Sequence, residues 1–406
     1  MEAPQRTGEI AAAAPQAAGL SALARRLRQG DASSLPVLLG LVLIWGIFAS
    51  QNENFLSARN LTNLVLQIAA MGTISVGIVL VLLLGEIDLS VGAVSGMSAA
   101  VMAILNVQHE VSPVLSLLAG VATGSLIGLL QGFWFTRFRV PSFVVTLAGL
   151  LAWQGALLWV LGTTGTVNVY DPLISGLAGT FLSPLLGWAL GALCVGMAVF
   201  GQVVTLRRRT RAGLPPGSRG AMVARVAIVA VLVPAVVGLL NADRGVPLAL
   251  LLLLGFVIGF DLLLRRTRFG RHVFAVGGNA EAARRAGIRV DVIRVAVFTL
   301  CGALAAAGGM LATSRLLAVN QSSGGGDVLL NAIAAAVIGG TSLFGGRGTV
   351  WSALTGALLI GSISNGMDLL ALPSSVKFMV TGAALLAAVT IDALARSGRQ
   401  QPAGRS

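Results

Sequence analysis

Charge is what this 406-residue chain has least of: only 11% of its residues are Asp, Glu, Lys or Arg, against 56% hydrophobic. A soluble globular domain carries about a quarter charged residues. Water is therefore not the main solvent of this chain. Lysine is scarcer still, Lys377 being the single example, with Val376 before it and Phe378 after it. A phosphate-gripping loop needs G-x-x-x-x-G-K-[ST], so the chain cannot cradle ATP in that way. The two histidines, His109 and His272, fall in different loops on opposite sides of the expected membrane. They favour neither a His-based metal site nor a nucleophile–His relay. Cys194 and Cys301, the only cysteines, lie inside apolar stretches and give no disulfide framework or metal-ligand spacing.

What remains is a series of apolar runs, each near the ~20 residues that a bilayer core requires. About twelve are expected, within a range of 10 to 12, at 35–50, 62–84, 88–105, 112–136, 142–162, 185–206, 223–240, 246–264, 294–313, 328–345, 349–370 and 375–392. The fold class this implies is all-α: a polytopic membrane bundle with glycine-interrupted helices. Residues 1–34 and 393–406 are expected to be cytoplasmic tails, the first disordered.

The net charge of +13 does not form one basic face. The arginines cluster in alternate loops: Arg137 and Arg139, then Arg207 to Arg225, then eight from Arg265 to Arg294. The opposite loops hold only Arg59, Arg244, Arg315 and Lys377. Cytoplasmic loops retain positive charge, so both termini are expected inside. Glycines spaced by four, Gly92/Gly96, Gly120/Gly124/Gly128 and Gly187/Gly191, predict close helix packing, more readily within one subunit than across a dimer seam.

Four local patterns stand out. In Gly85-Glu86-Ile87-Asp88-Leu89-Ser90-Val91-Gly92, two carboxylates sit between apolar runs. Spaced by two, they would face nearly opposite ways on a helix, which disfavours a paired acid/base device. A broken helix is expected, with Asp88 capping the next helix. A cap with a surface acid and a pathway-lining role both remain open for the pair. In Val140-Pro141 to Gly149, Pro141 marks a helix start. In Phe269 to Ile288, Asn279 is an N-cap, Glu281 suits the positive end of a helix dipole, Arg284 and Arg285 the negative end, and Gly287 a stop. A short helix over 278–287 is predicted there, with a small smooth surface of Ala280, Ala282, Ala283 and Ala286. In Ala332 to Gly348, Thr341 and Ser342 lie among glycines at membrane depth. Breaks of this kind in two halves point to a transport path, and 62–105 and 328–370 are the matching regions.

Taken in order and at this spacing, the four patterns resemble the ribose/xylose-type permease family of ABC sugar importers, most closely its xylose branch, over roughly residues 55–392. The extra hydrophobic pair at 185–240 belongs to that likeness. The resemblance implies the transmembrane, non-enzymatic subunit of an ATP-driven importer in the bacterial inner membrane, carrying D-xylose or a similar pentose. It further implies a permease homodimer, two cytoplasmic ATP-binding subunits docked on the loop at 265–293, and a periplasmic sugar-binding protein. No cofactor is expected on this chain; ATP and Mg belong to the partner. Coupling to the ATPase falls on Gly278, Asn279, Glu281, Ala282, Ala283, Arg284 and Gly287. Glu86, Asp88, Ser90, Thr341, Ser342 and Asn365 are the pathway candidates. Gln154-Gly155, Leu329 and Asn331 depart from residues common among relatives. The rival readings are a proton-coupled secondary transporter using Glu86 or Asp88, and a passive channel or structural component.

Overall fold

The computed structural model describes residues 35–213 and 219–397. The expected tail at 1–34 and most of that at 393–406 lie outside them. Each of the twelve expected segments coincides with a helix: α1 (Leu35–Gln51), α2 (Ala58–Leu83), α3 (Val91–Val107), α4 (Pro113–Phe138) and α5 (Ser142–Leu161) in the first half. After a short helix α6 (Pro172–Gly179) come α7 (Pro184–Arg211), α8 (Arg219–Asn241) and α9 (Leu248–Arg266). Two helices outside the expected spans, α10 (Arg268–Gly278) and α11 (Ala280–Arg285), lead to α12 (Val290–Leu316), α13 (Gly326–Ile338), α14 (Trp351–Leu369) and α15 (Ser374–Ser397). Among the described residues, seven helices are long and apolar enough to cross a membrane: α2, α4, α5, α7, α8, α9 and α12. The all-helical expectation needs one addition, a two-stranded antiparallel ribbon of β1 (Thr166–Asn168) and β2 (Ala318–Asn320), with Val167 opposite Val319.

The bundle is organised around α2 and α12. Of their apolar stretches 83% and 61% lie inside the protein, against 6% and 11% for α7 and α8. The latter pair mainly contact each other and turn Leu185, Leu193, Phe200 and Val231 outward, as lipid-facing helices do. All three glycine rows work within the chain. Those of α4 lie against α12, where a Cβ on Gly124 would come within 2.3 Å of the Gly302 carbonyl oxygen and one on Gly128 within 2.1 Å of that of Phe298. Gly92 and Gly96 face the loop at Ser323–Gly325, and Gly187 and Gly191 face α8 and its end. With no aqueous solvent to drive association, such backbone approach maximises van der Waals contact.

Both expected breaks are present, and they touch. α2 stops at Leu83, and the chain runs through Gly85 (φ +75°) to Ser90 before α3 begins. α13 stops at Ile338, and a glycine-rich turn runs to Val350. The Gly346 N–H donates to the Leu83 carbonyl at 2.9 Å. Gly345 is at φ +82°, and a side chain there would meet both the Gly277 carbonyl and the Gly85 nitrogen within 2.8 Å. Glycine is needed there both for its conformation and for its missing Cβ.

Candidate translocation path and coupling elements

The candidate residues separate into two sites at opposite ends of the bundle. Glu86, Asp88, Ser90, Thr341 and Ser342 gather at the breaks, on the arginine-rich side. Glu86 Oε1 accepts from Arg294 Nη2 at 2.8 Å, and the Arg294 guanidinium lies 5.8 Å from the centre of the Phe135 ring. Asp88 is buried; its Oδ1 accepts from the Ser90 N–H at 2.8 Å and the Ser90 hydroxyl at 2.7 Å. This corrects the expected cap. The helix starts at Val91 with Ser90 in the N-cap position, and the carboxylate is spent on Ser90 through Oδ1 and on the Cys301 thiol, 3.9 Å away, through Oδ2, short of the helix amides. The Gln131 amide donates back to Ser90 Oγ at 2.9 Å, tying the break to α4. Thr341 and Ser352 hydroxyls bond each other, and Ser342 Oγ accepts from the Phe344 N–H at 3.1 Å. These groups are engaged with the protein because an unsatisfied polar group at this depth costs several kcal/mol.

On the arginine-poor side lies a cavity of about 940 Å³, walled by α2, α3, α12, α13, α14, α15 and the Asn320–Gly324 loop. Its lining includes Gln67, Met71, Ser95, Thr313, Arg315, Asn320, Asp327, Asn331, Ser364, Asp368, Lys377 and Phe378. A neighbouring hollow of about 820 Å³, reached past Asn60, Asn63 and Arg244, shares Gln67, Arg315, Leu316 and Asp368 with it. Of the six pathway candidates, only Asn365 reaches either hollow, and its side chain is exchanged in reciprocal bonds of 2.8 and 3.1 Å with Asn60. The other five line neither. Sequence reasoning ranked charge between apolar runs above the amides and hydroxyls inside the helices. Neither Arg315 nor Lys377 is among the pathway candidates, although both line the cavity and Lys377 bonds Asp368. A signal existed in Gln67, Ala70, Met71 and Ile74, whose i, i+3, i+4, i+7 spacing puts one amide on a single face of α2.

Between these sites and the arginine-rich surface lie α10 and α11. Thr267 Oγ1 accepts from the Gly270 N–H and caps α10, whose Phe269, Val273 and Val276 turn toward the core at i, i+4, i+7. That spacing is legible in the chain, yet the helix expected over 278–287 takes in only the final residue of α10. Asn279 Oδ1 accepts from the Ala282 N–H at 2.9 Å, starting α11. Glu281 pairs with Arg284 at 3.2 Å and Arg285 at 3.1 Å, exposed contacts worth a few tenths of a kcal/mol each. Gly287, at φ +82°, donates to the Arg284 carbonyl and ends the turn. Ala282 and Ala286 are exposed, but Ala283 is buried in the chain's own core, so the smooth alanine surface is narrower than expected. Gly277, at the end of α10, touches both breaks: a Cβ there would sit 1.7 Å from the Leu83 carbonyl oxygen and 2.8 Å from the Gly346 nitrogen.

The comparisons with known proteins agree with one another over nearly all of this architecture. The xylose transport system permease protein XylH of Escherichia coli (strain K12) is 38% identical over 385 residues, 95% of this chain and 96% of the relative. XylH of Haemophilus influenzae is 37% identical over 358 residues, 88% of this chain and 95% of the relative. The ribose import permease protein RbsC of Bacillus subtilis (strain 168) is 34% identical over 363 residues, 89% of this chain and 94% of the relative. No solved structure is a significant match. A family model described as the permease component of the branched-chain amino acid transport system matches residues 60–389, a span holding both breaks, the cavity and the α10–α11 pair; the chain belongs to that family of membrane permease components.

Proposed function

We propose that this chain is the transmembrane subunit of an ATP-driven sugar importer of the bacterial inner membrane, passing D-xylose or a similar pentose inward from a periplasmic binding protein. The observation that carries the reading is the polar cavity on the arginine-poor side, set in the same bundle as two touching helix breaks on the arginine-rich side that α10 joins through Gly277. By the positive-inside rule that cavity faces outward, where a sugar-loaded partner would deliver, and α11 faces the cytoplasm. Full-length likeness to xylose and ribose permeases supports the substrate class. In this reading all twelve apolar helices enter the membrane, α1, α3 and α13 as short ones, and both termini are cytoplasmic.

A homodimer of this chain would be served by two ATP-binding subunits seated on Gly278, Asn279, Glu281, Ala282, Arg284 and Gly287, with Ala283 supporting that surface from within. ATP and Mg would be bound and used by those subunits. Closure of the ATPase pair would shift α11 and α10, and Gly277 would carry that shift to both breaks at once. The rival proton-coupled mechanism needs a carboxylate that meets the path. Glu86 is committed to Arg294 and Asp88 to Ser90, neither lining the cavity.

The test is reconstitution in vesicles. The purified chain alone is expected to hydrolyse no ATP, and with its ATPase and binding protein to give xylose-stimulated hydrolysis and uptake. Xylose uptake by the chain alone, driven by a proton gradient, would overturn the proposal.

A further inference from the structure

Within the cavity the polar side chains are not equivalent. Ser95 Oγ donates to the Gly92 carbonyl at 2.6 Å, and Thr313 Oγ1 donates to that of Gly309 at 2.9 Å, so both are spent on their own helices. Lys377 and Asp368 bond each other. Gln67 on α2, Asn331 on α13 and Ser364 on α14 differ, as does Thr381 on α15. Their side chains line the cavity, are half-buried, and hydrogen-bond to no other group among the described residues. Polar groups withdrawn this far from bulk water are normally paired with protein or with bound solvent. Gln67 lies nine residues inside the start of α2, roughly 14 Å along the helix.

We infer that Gln67, Asn331 and Ser364 form a sugar-contact site inside the permease, with Phe378 as its apolar platform, so that the membrane subunit itself selects a neutral polyhydroxylated solute. This rests on the importer reading above and adds a second point of selection to it. The chemistry is specific in three respects. Each amide carries a carbonyl acceptor and two N–H donors, and the hydroxyl both donates and accepts, which matches vicinal sugar hydroxyls that also do both. Phe378 is the only aromatic among the described residues of the lining and is 57% exposed, available for the C–H face of a pyranose ring. The ionisable residues of the lining, Arg315, Asp327, Asp368 and Lys377, sit at helix ends and balance in sign, and the uncommitted amides and hydroxyls are themselves electrically neutral. A charged or zwitterionic solute reaching those groups would shed water without gaining a countercharge there, whereas a neutral polyol would exchange hydrogen bonds for hydrogen bonds.

The experiment uses vesicles containing the full chain with its ATPase and saturating xylose-loaded binding protein, with labelled D-xylose as probe. Gln67→Leu and Asn331→Leu are each expected to slow xylose entry about tenfold, the loss of one good hydrogen bond. Binding-protein-stimulated ATP hydrolysis should stay within twofold of wild type, and Gln67→Asn and Asn331→Gln should recover part of the uptake. Xylose entry within twofold of wild type in both leucine variants would sink the site while leaving the importer intact. Loss of uptake and stimulated hydrolysis together would assign the residues a structural role and likewise overturn it. Wild-type vesicles that import no sugar would instead sink the importer reading, a separate and recognisable failure.

Discussion

Arg294 Nη2 donates to Glu86 Oε1 at 2.8 Å, an ion pair that fastens the break after α2 to the start of α12, five residues beyond Arg289 and close behind the α11 turn. The side chains are 25% and 15% exposed, and Arg294 Nε is buried with no partner among the described residues. Removing one charge strands the other in a half-desolvated place. Glu86→Ala is expected to destabilise the chain by about 1–2 kcal/mol, less than the 3–5 kcal/mol of a fully buried pair because solvent still screens it. Replacing both residues, as Glu86→Ala with Arg294→Met, should cost less than the two single changes added together. Thermal unfolding of the four proteins in detergent decides it, and strictly additive losses would mean that the pair contributes nothing as a pair.

Neighbouring glycines make opposite predictions at the end of α10. A methyl group on Gly277 collides with the Leu83 carbonyl, which is backbone and cannot swing away, whereas one on Gly278 meets nothing within 4 Å. Gly277→Ala is therefore expected to pull α10 off the breaks and abolish uptake, and Gly278→Ala, which adds one methyl to the ATPase-facing surface and disturbs nothing within the chain, to retain most of it. Equal uptake by the two variants would show that the contact at Gly277 is not the route from ATPase to membrane.

On α11 the tryptophan substitutions should likewise part company. Ala283 is 5% exposed, so Ala283→Trp overpacks the chain's own interior, at about 1–3 kcal/mol or more, and should lower the yield of folded protein. Ala282 is exposed, so Ala282→Trp should fold normally and fail to hold the ATPase. Co-purification of the ATPase with each variant, set beside its size-exclusion profile in detergent, is the measurement. Normal ATPase capture by a well-folded Ala282→Trp would move the docking surface off this helix.

The legibility of the chain depends on the range of the interactions involved. Asn279 and Gly287 act on an amide and a carbonyl, and Glu281 on two guanidinium groups, all within four residues, so the α11 turn could be read from its own letters. The apolar runs announce themselves by length, and the two breaks by their glycines. Asp88 and Glu86 were visible as costly charges, but what satisfies Glu86 is an arginine on a distant helix, and nothing local distinguishes that from a residue facing a water-filled path. The cavity was illegible for a complementary reason. Gln67, Asn331 and Ser364 are uncharged polar residues with no local pattern to single them out from others in the same helices, and only the convergence of α2, α13 and α14 sets them around one space. The β1–β2 ribbon, three residues to a strand, carries too short an alternation to be noticed.

The position of α12 in the chain has a consequence for biogenesis. The helix that packs on α2, α3 and α4 is made long after them, and Arg294 lies 208 positions beyond the Glu86 it neutralises. At about 5–20 residues per second, a ribosome needs roughly 10–40 s to cover that distance. Throughout that interval the acid at the first break lacks its cation, and from the completion of α4 at Phe138 onward the glycine seam of the first four helices is uncovered as well. The early half of the protein is thus a nascent client, dependent on the insertion machinery or on lipid headgroups to shelter Glu86 until α12 arrives.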